Sequence, residues 1–179
     1  MNKELKEAII EDIKMRGGKI YPSFAKSLFI IYSNKGEKLF RFTFWYRLKQ
    51  QYKPYTPLGF ISYFFYYVIY KNVFDVKMSE MKIGKGFHIE HDGNVYLNAN
   101  SIGGHFWVFQ GVTIGADKNG GIPIIGNDVT VYTNAVICGN IRIGNNCTIG
   151  ANAFINKDLE DNSIVINQCQ IIKRKQQVK

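Results

Sequence analysis

IGNDVTVYTNAVICGNIRIGNNCTIGANAFINKDL, residues 125–159, carries a period of six. Ile125, Val131, Ile137, Ile143, Ile149 and Ile155 stand six residues apart. Four residues after each comes another apolar residue, often a small one: Val129, Ala135, Ile141, Cys147, Ala153 and Leu159. Glycine follows the aliphatic at Gly126, Gly144 and Gly150, and Asn, Asp, Thr and Lys fill most of the rest. An α-helix would repeat every 3.6 residues and a simple strand ladder every two. Six fits a coil of triangular turns, each built from three six-residue faces. The aliphatics then point inward, and stacked turns share one core.

Outward from this stretch the period continues with interruptions. Ile83, Ile89, Leu97, Ile102, Val108 and Ile114 are separated by 6, 8, 5, 6 and 6, and Ile125 follows Ile114 by 11. The long interval contains GADKNGGIP (115–123), a glycine- and proline-rich composition that predicts an extruded loop. Breaks in a regular solenoid are where function tends to gather, so residues 83–124 hold the candidate site and 125–160 the scaffold.

The first 82 residues read as helical. Leu5, Ala8, Ile9 and Ile13 line one side of a helix over 2–15. EKLFRFTFWYRLKQ (37–50) predicts a second helix. KPYTP (53–57) is a break with two prolines, and LGFISYFFYYVIYK (58–71) predicts a third helix, apolar almost all round. That helix has two readings: burial against the solenoid or at an oligomer axis, or contact with a membrane. The expected division is a helical region 1–82, a solenoid domain 83–160 and a C-terminal strand with basic tail 161–179, the boundary lying near 75–82.

Composition sets further bounds. The chain has 179 residues, 46% hydrophobic and 21% charged, as expected of a globular protein with one substantial domain. The net charge of +9 divides into +8 over 1–82, −2 over 83–160 and +3 over 161–179. Basic ends suit nucleic acid, anionic lipid or a phosphorylated ligand. No nucleic-acid module is visible, so nucleic acid is not an expected partner. Cys138, Cys147 and Cys169 form no CxxC pair, which argues against a disulfide framework or a zinc site. The N-terminus lacks the uncharged run of a signal peptide, and the longest apolar run, Leu58 to Tyr70, is shorter than a spanning helix needs. The expected location is the cytoplasm, at the inner face of the membrane if the third helix meets lipid.

IGKGFHIEH (83–91), FQGVTIG (109–115), the Gly/Pro loop and IGNNCTIGANAFINKDLEDNSIV (143–165) resemble the hexapeptide-repeat acyltransferases. Within them the chain resembles the serine acetyltransferase family, above all the shorter O-acetyltransferases of bacterial exopolysaccharide and capsule gene clusters. The resemblance implies a mainly β fold: a left-handed parallel β-helix (hexapeptide repeat) with a small α-helical N-terminal region. It also implies a homotrimer with acetyl-CoA lying in a groove, and acetyl transfer to a hydroxyl of a saccharide, in a polysaccharide or its precursor. Serine O-acetylation in cysteine biosynthesis is the alternative acceptor reading. The chain departs from serine acetyltransferases in its shorter helical lead and in Glu90 where they have Asp. Its extruded loop has no His, and Asn167, Gln168 and Cys169 stand where they have Asn-Pro-Ala.

Acetyl transfer from a thioester needs a base, a donor to the oxyanion and two substrates held together. Histidine suits the base, because it titrates near neutral pH. Of His88, His91 and His105, His91 falls in the irregular eight-residue interval and matches the family's catalytic His. His88 is expected to project into solvent. Asp75, Glu90 and Asp92 are candidates to orient the imidazole. The resemblance implies Asp75 as orienter and Glu90 as the group facing the acceptor. Asp92, His105 and Trp107 are candidate acceptor contacts. Gly115, Ala116, Thr133 and Thr148 match the family's acetyl-CoA groove, and Lys173, Arg174 and Lys175 could meet its phosphates. No metal is expected.

Overall fold

The inward aliphatics stack into three columns, and those columns are the axis of the molecule. A computed structural model describes residues 1–34, 37–70 and 75–166. Strands β1 (Val76–Met78), β2 (Lys82–Ile83) and β3 (Phe87–Ile89) make the first coil. The second is β4 (Val95–Leu97), β5 (Ser101–Ile102) and β6 (Phe106–Val108), and the third β7 (Thr113–Gly115), β8 (Ile124–Ile125) and β9 (Thr130–Val131). Above them lie β10 (Val136–Cys138), β11 (Arg142–Ile143) and β12 (Thr148–Ile149), then β13 (Phe154–Ile155) and β14 (Ile164–Val165). Every pairing is parallel and joins equivalent strands of successive coils, so three sheets run up the solenoid: β1-β4-β7-β10-β13, β2-β5-β8-β11 and β3-β6-β9-β12-β14.

The register explains the period. Leu97, Ile114, Ile137 and Ile155 form one inward column. Ile83, Ile102, Ile125 and Ile143 form the second. Ile89, Val108, Val131 and Ile149 form the third, and all of these side chains are buried. The small apolar residue four positions on, as at Val129, Ala135 and Cys147, is buried beside its column. Corners close tightly. Asn94, His105, Asp128, Asn134, Asn146, Asn152 and Asn162 all take positive φ, which Asn and Asp tolerate better than other L residues. At Gly126 an added Cβ would lie 2.6 Å from the Gly144 carbonyl oxygen, so successive coils approach backbone to backbone there.

The solenoid's pairing starts at Val76, which meets Val95, and runs to the C-terminal strand β14, which pairs with β12. The helical lead has one element more than expected. α1 (Lys3–Met15) opens on an Asn2 cap whose side chain accepts from the Leu5 amide, and ends at Gly17 with φ +67°. α2 (Phe24–Ser33), capped by Ser23, was not anticipated; α3 (Lys38–Gln51) was. The third expected helix is α4 (Pro57–Phe64), capped by Thr56, continuing as a π-helical stretch Phe65–Tyr70.

This lead is fastened to the first coil by buried polar contacts. Asp12 pairs with Arg47, at 2.5 and 2.8 Å, and accepts from the Phe87 amide at 2.7 Å. Arg47 also donates to the Ile83 and Gly84 carbonyls. Tyr46 donates to the Ser79 and Met81 carbonyls. Buried Lys49 pairs with Glu80 and stands over the rings of Tyr46, Tyr63, Tyr66 and Tyr67. The apolar third helix is only half enclosed. Ser62 and Tyr66 are buried and Phe65 stacks on Trp45, while Leu58, Phe60, Ile61, Phe64 and Val68 are exposed. Among the described residues no helix is long and apolar enough to cross a membrane.

Candidate active site

The eight-residue interval becomes a bulged corner. Between Ile89 and Val95 five residues make the turn, where the coil above uses only Phe109, Gln110 and Gly111. The extra length is taken up with positive φ at Gly93 and Asn94, and it pushes His91 and Asp92 out of the wall into solvent. The His91 ring lies edge to face with Phe109, centroids 6.5 Å apart. Asp75, also exposed, precedes β1, and its carbonyl accepts from the Val95 amide at 2.8 Å. Asp75, Glu90, His91 and Asp92 thus share one corner. Within the single chain, among the described residues, no hydrogen bond joins His91 to any of the three acids.

Glu90 is held by two ring nitrogens. Its Oε2 accepts from His88 Nε2 at 2.8 Å and from Trp107 Nε1 at 3.0 Å. The expected solvent-facing His88 is therefore corrected: it is buried. Strand alternation does turn it outward, but the helical lead covers that face, with Arg16 donating to the Ile89 carbonyl at 3.2 Å. Burial, reinforced by the Arg16 charge, pulls the His88 pKa down to about 4, so the ring is neutral at pH 7.

His105 does not join this corner. It sits between β5 and β6 at a positive-φ position, with Nδ1 3.1 Å from Asp128 and Nε2 3.9 Å from Glu11 of α1. That is the turn position that Asp128 and Asn146 fill in later coils. Trp107 lies on the outer face of β6 beside His88 and begins an aromatic surface. Trp107 stacks with Phe109 at 5.5 Å and Phe109 with Tyr132 at 4.8 Å. Phe109, Tyr132, His88 and Arg16 were not picked out from sequence. The available signal was strand alternation carried from coil to coil, which aligns Glu90, Phe109 and Tyr132.

The expected groove residues fall on three places in one chain. Thr133 is on the His91 side of the triangle, two coils higher, and Thr148 is on the outer face of β12. Gly115 ends β7, and Ala116 opens the extruded loop at the opposite edge of that sheet. The loop is ordered by Asp117, whose Oδ1 accepts from the Asn119 and Gly121 amides. Lys173, Arg174 and Lys175, like Asn167, Gln168 and Cys169, lie outside the described residues. A cavity of about 630 Å³ between α1, α3 and Lys82–Lys85 does not include this corner. Among the described residues no group of three or more His, Cys, Asp or Glu could hold a metal ion.

Comparisons with known proteins agree with the fold. Residues 122–157 match the family described as bacterial transferase hexapeptide (six repeats). A serine acetyltransferase of Bacillus pumilus is 36% identical over 88 residues, 47% of this chain and 41% of that protein. A serine acetyltransferase of Staphylococcus aureus is 34% identical over 89 residues, 48% of this chain and 42% of its own. The chain thus spans less than half the length of these curated relatives. Among solved structures, a serine acetyltransferase of Neisseria gonorrhoeae superposes with TM-score 0.66 at 24% identity, covering 93% of this chain and 64% of that one. The soybean serine acetyltransferase apoenzyme gives 0.66 at 22%, covering 93% and 68%. At these identities the two structures speak for the fold.

Proposed function

The chain belongs to the hexapeptide-repeat transferases, and on that premise we propose that it is an acetyl-CoA-dependent O-acetyltransferase with His91 as general base. The observation that carries this is the bulged corner. It breaks an otherwise regular coil to put one exposed imidazole beside three carboxylates. The imidazole takes the proton of an acceptor hydroxyl as its oxygen attacks the thioester carbonyl. The tetrahedral intermediate collapses, the C–S bond breaks, and the imidazolium returns the proton to the departing thiolate. Asp75 orients and charge-stabilises the imidazolium, and Glu90 faces the acceptor. Small side chains at Gly115, Ala116, Thr133 and Thr148 leave room for the pantetheine arm against the coil backbone, with Lys173 toward the phosphates.

In one chain these groove residues occupy separate edges, which supports a trimer in which neighbouring solenoids complete each site. Light scattering should give three times the 20.5 kDa chain mass; a monomer under assay conditions contradicts this. The exposed apolar side of α4, in a lead of net charge +8, supports a peripheral contact with anionic membrane at the cytoplasmic face. Absence of co-sedimentation with anionic vesicles at low salt would remove that part.

The relatives' name makes L-serine the first acceptor to test, ahead of the saccharide that the motifs alone favoured. The saccharide reading keeps one specific support. Trp107, Phe109 and Tyr132 offer an apolar surface to the C–H faces of a sugar, and the acids offer acceptors to its hydroxyls. Thiol release from acetyl-CoA, measured with L-serine and with oligosaccharides, separates the two. Turnover of either acceptor supports acetyl transfer and names its class. No thiol release with any hydroxyl acceptor overturns the reading.

A further inference from the structure

Two N–H groups converge on a single oxygen of Glu90, and the donors come from different coils. His88 is in β3 and Trp107 in β6. A carboxylate only accepts, so His88 must carry its proton on Nε2. The indole N–H of Trp107 has no other role open to it. Together they fix Oε2, and among the described residues Oε1 accepts no hydrogen bond. The Glu90 side chain remains 30% exposed while that of His88 is 9% exposed, so the carboxylate has a dry anchored side and a wet open side.

The anchor depends on the helical lead. Arg16, just past α1, donates to the carbonyl of Ile89, the residue between His88 and Glu90. Its other terminal nitrogen, Nη1, pairs with Glu37 at 3.3 Å. The Asp12 carboxylate holds the amide of Phe87, the residue before His88. Residues 87–89 are therefore gripped through their backbone by groups 70 or more positions away in the chain.

We propose that His88 and Trp107 are positioning residues, which hold Glu90 by Oε2 so that Oε1 is offered to a hydrogen-bond donor of the acceptor. The helical lead serves the same site by keeping His88 dry. This inference rests on the reading of His91 as base and of Glu90 as the acceptor-facing group.

The kinetic test uses the full chain, with L-serine and oligosaccharides as acceptors. His88→Leu removes the donor but keeps an apolar side chain in a buried place. Trp107→Phe removes only the indole N–H and its ring. Each should raise the acceptor KM about tenfold, the low end for a hydrogen bond to a charged group, with the acetyl-CoA KM unchanged. His88→Gln, which can present a donor at the same reach, should recover most of the loss. Unchanged acceptor KM in both variants, or equal rises in both KM values, overturns the proposal. A second measurement needs no acceptor. Long-range proton–nitrogen NMR should find His88 in the Nε2–H tautomer at pH 7, and Glu90→Ala should shift the Trp107 indole resonance. A chain that acetylates nothing but shows both signatures would lose its proposed activity and keep this anchoring. The Nδ1–H tautomer, or an unmoved indole, would refute the anchoring whatever the activity.

Discussion

The lower coils and the upper coils are built from the same repeat and behave differently. Above Ile124 the coils advance by eighteen residues, as in Ile124 to Arg142, Thr130 to Thr148 and Val136 to Phe154, until the last, where Thr148 meets Ile164 sixteen on. Below, Val76 meets Val95 nineteen residues on, and Ser101 meets Ile124 twenty-three on. The regular coils are stabilised by their own stacking: inward columns, a corner ladder of Asn127, Asn145 and Asp161, and backbone bonds. The irregular coils carry the bulge, the loop and the outward aromatics, and they lean on the helical lead through Asp12, Arg16 and Arg47. A solenoid can lengthen a corner to expose an imidazole, provided something else holds the strands on either side.

The largest effect that sharpens this comparison is on stability at the lower end. Asp12→Ala leaves Arg47 buried without its partner and frees the Phe87 amide. It should destabilise the chain by about 3–5 kcal/mol, read from urea unfolding. A loss under 1 kcal/mol would mean that the lower coils stand without the clamp. In the upper coils the core itself is the support. Ile137→Ala should cost about 2–5 kcal/mol while the surviving folded enzyme keeps its turnover rate. A matching fall in kcat would break the division between scaffold and site.

A smaller effect is pH-dependent and belongs to His88. Its folded pKa, about 4, lies below the ordinary value of 6.5, so the unfolded chain binds the proton first as pH falls. The contribution is complete above about pH 6.5 and is lost as pH drops toward 4. It should amount to roughly 1–2 kcal/mol once residual solvent screening is allowed for. The His88→Gln variant should show a flatter stability curve over that window, and an identical curve would contradict the burial of a neutral ring. The smallest effect is at a regular corner. Asn146, at φ +53° and bonded to Asn162, should lose about 1 kcal/mol on mutation to Ala, less on mutation to Gly, with activity unchanged. Thermal unfolding midpoints are the measure.

What the sequence made legible follows the same boundary. The columns and the bulge could be read because inward positions demand aliphatics and any extra residues shift their spacing. The eight-residue interval pointed to His91 without any tertiary information. His88 was misread because its outward direction is local, while its burial comes from α1 and Arg16, brought against β3 by packing that no nearby pattern encodes. His105 aligns with Asp128, Asn146 and Asn162 at the positive-φ corner of each coil. α2 was missed because FAKSLFIIYS carries little polar alternation, although the Ser23 cap was there to be read.

The most direct test of the central claim is the turnover of His91→Ala, followed by thiol release with the acceptor the wild type uses. The variant changes an exposed side chain on a bulge, so its fold and oligomeric state should match the wild type. Turnover should fall at least ~100-fold, the low end for a lost general base, with the acetyl-CoA KM little changed. A variant that keeps near-wild-type turnover would contradict the assignment of this corner as the catalytic one.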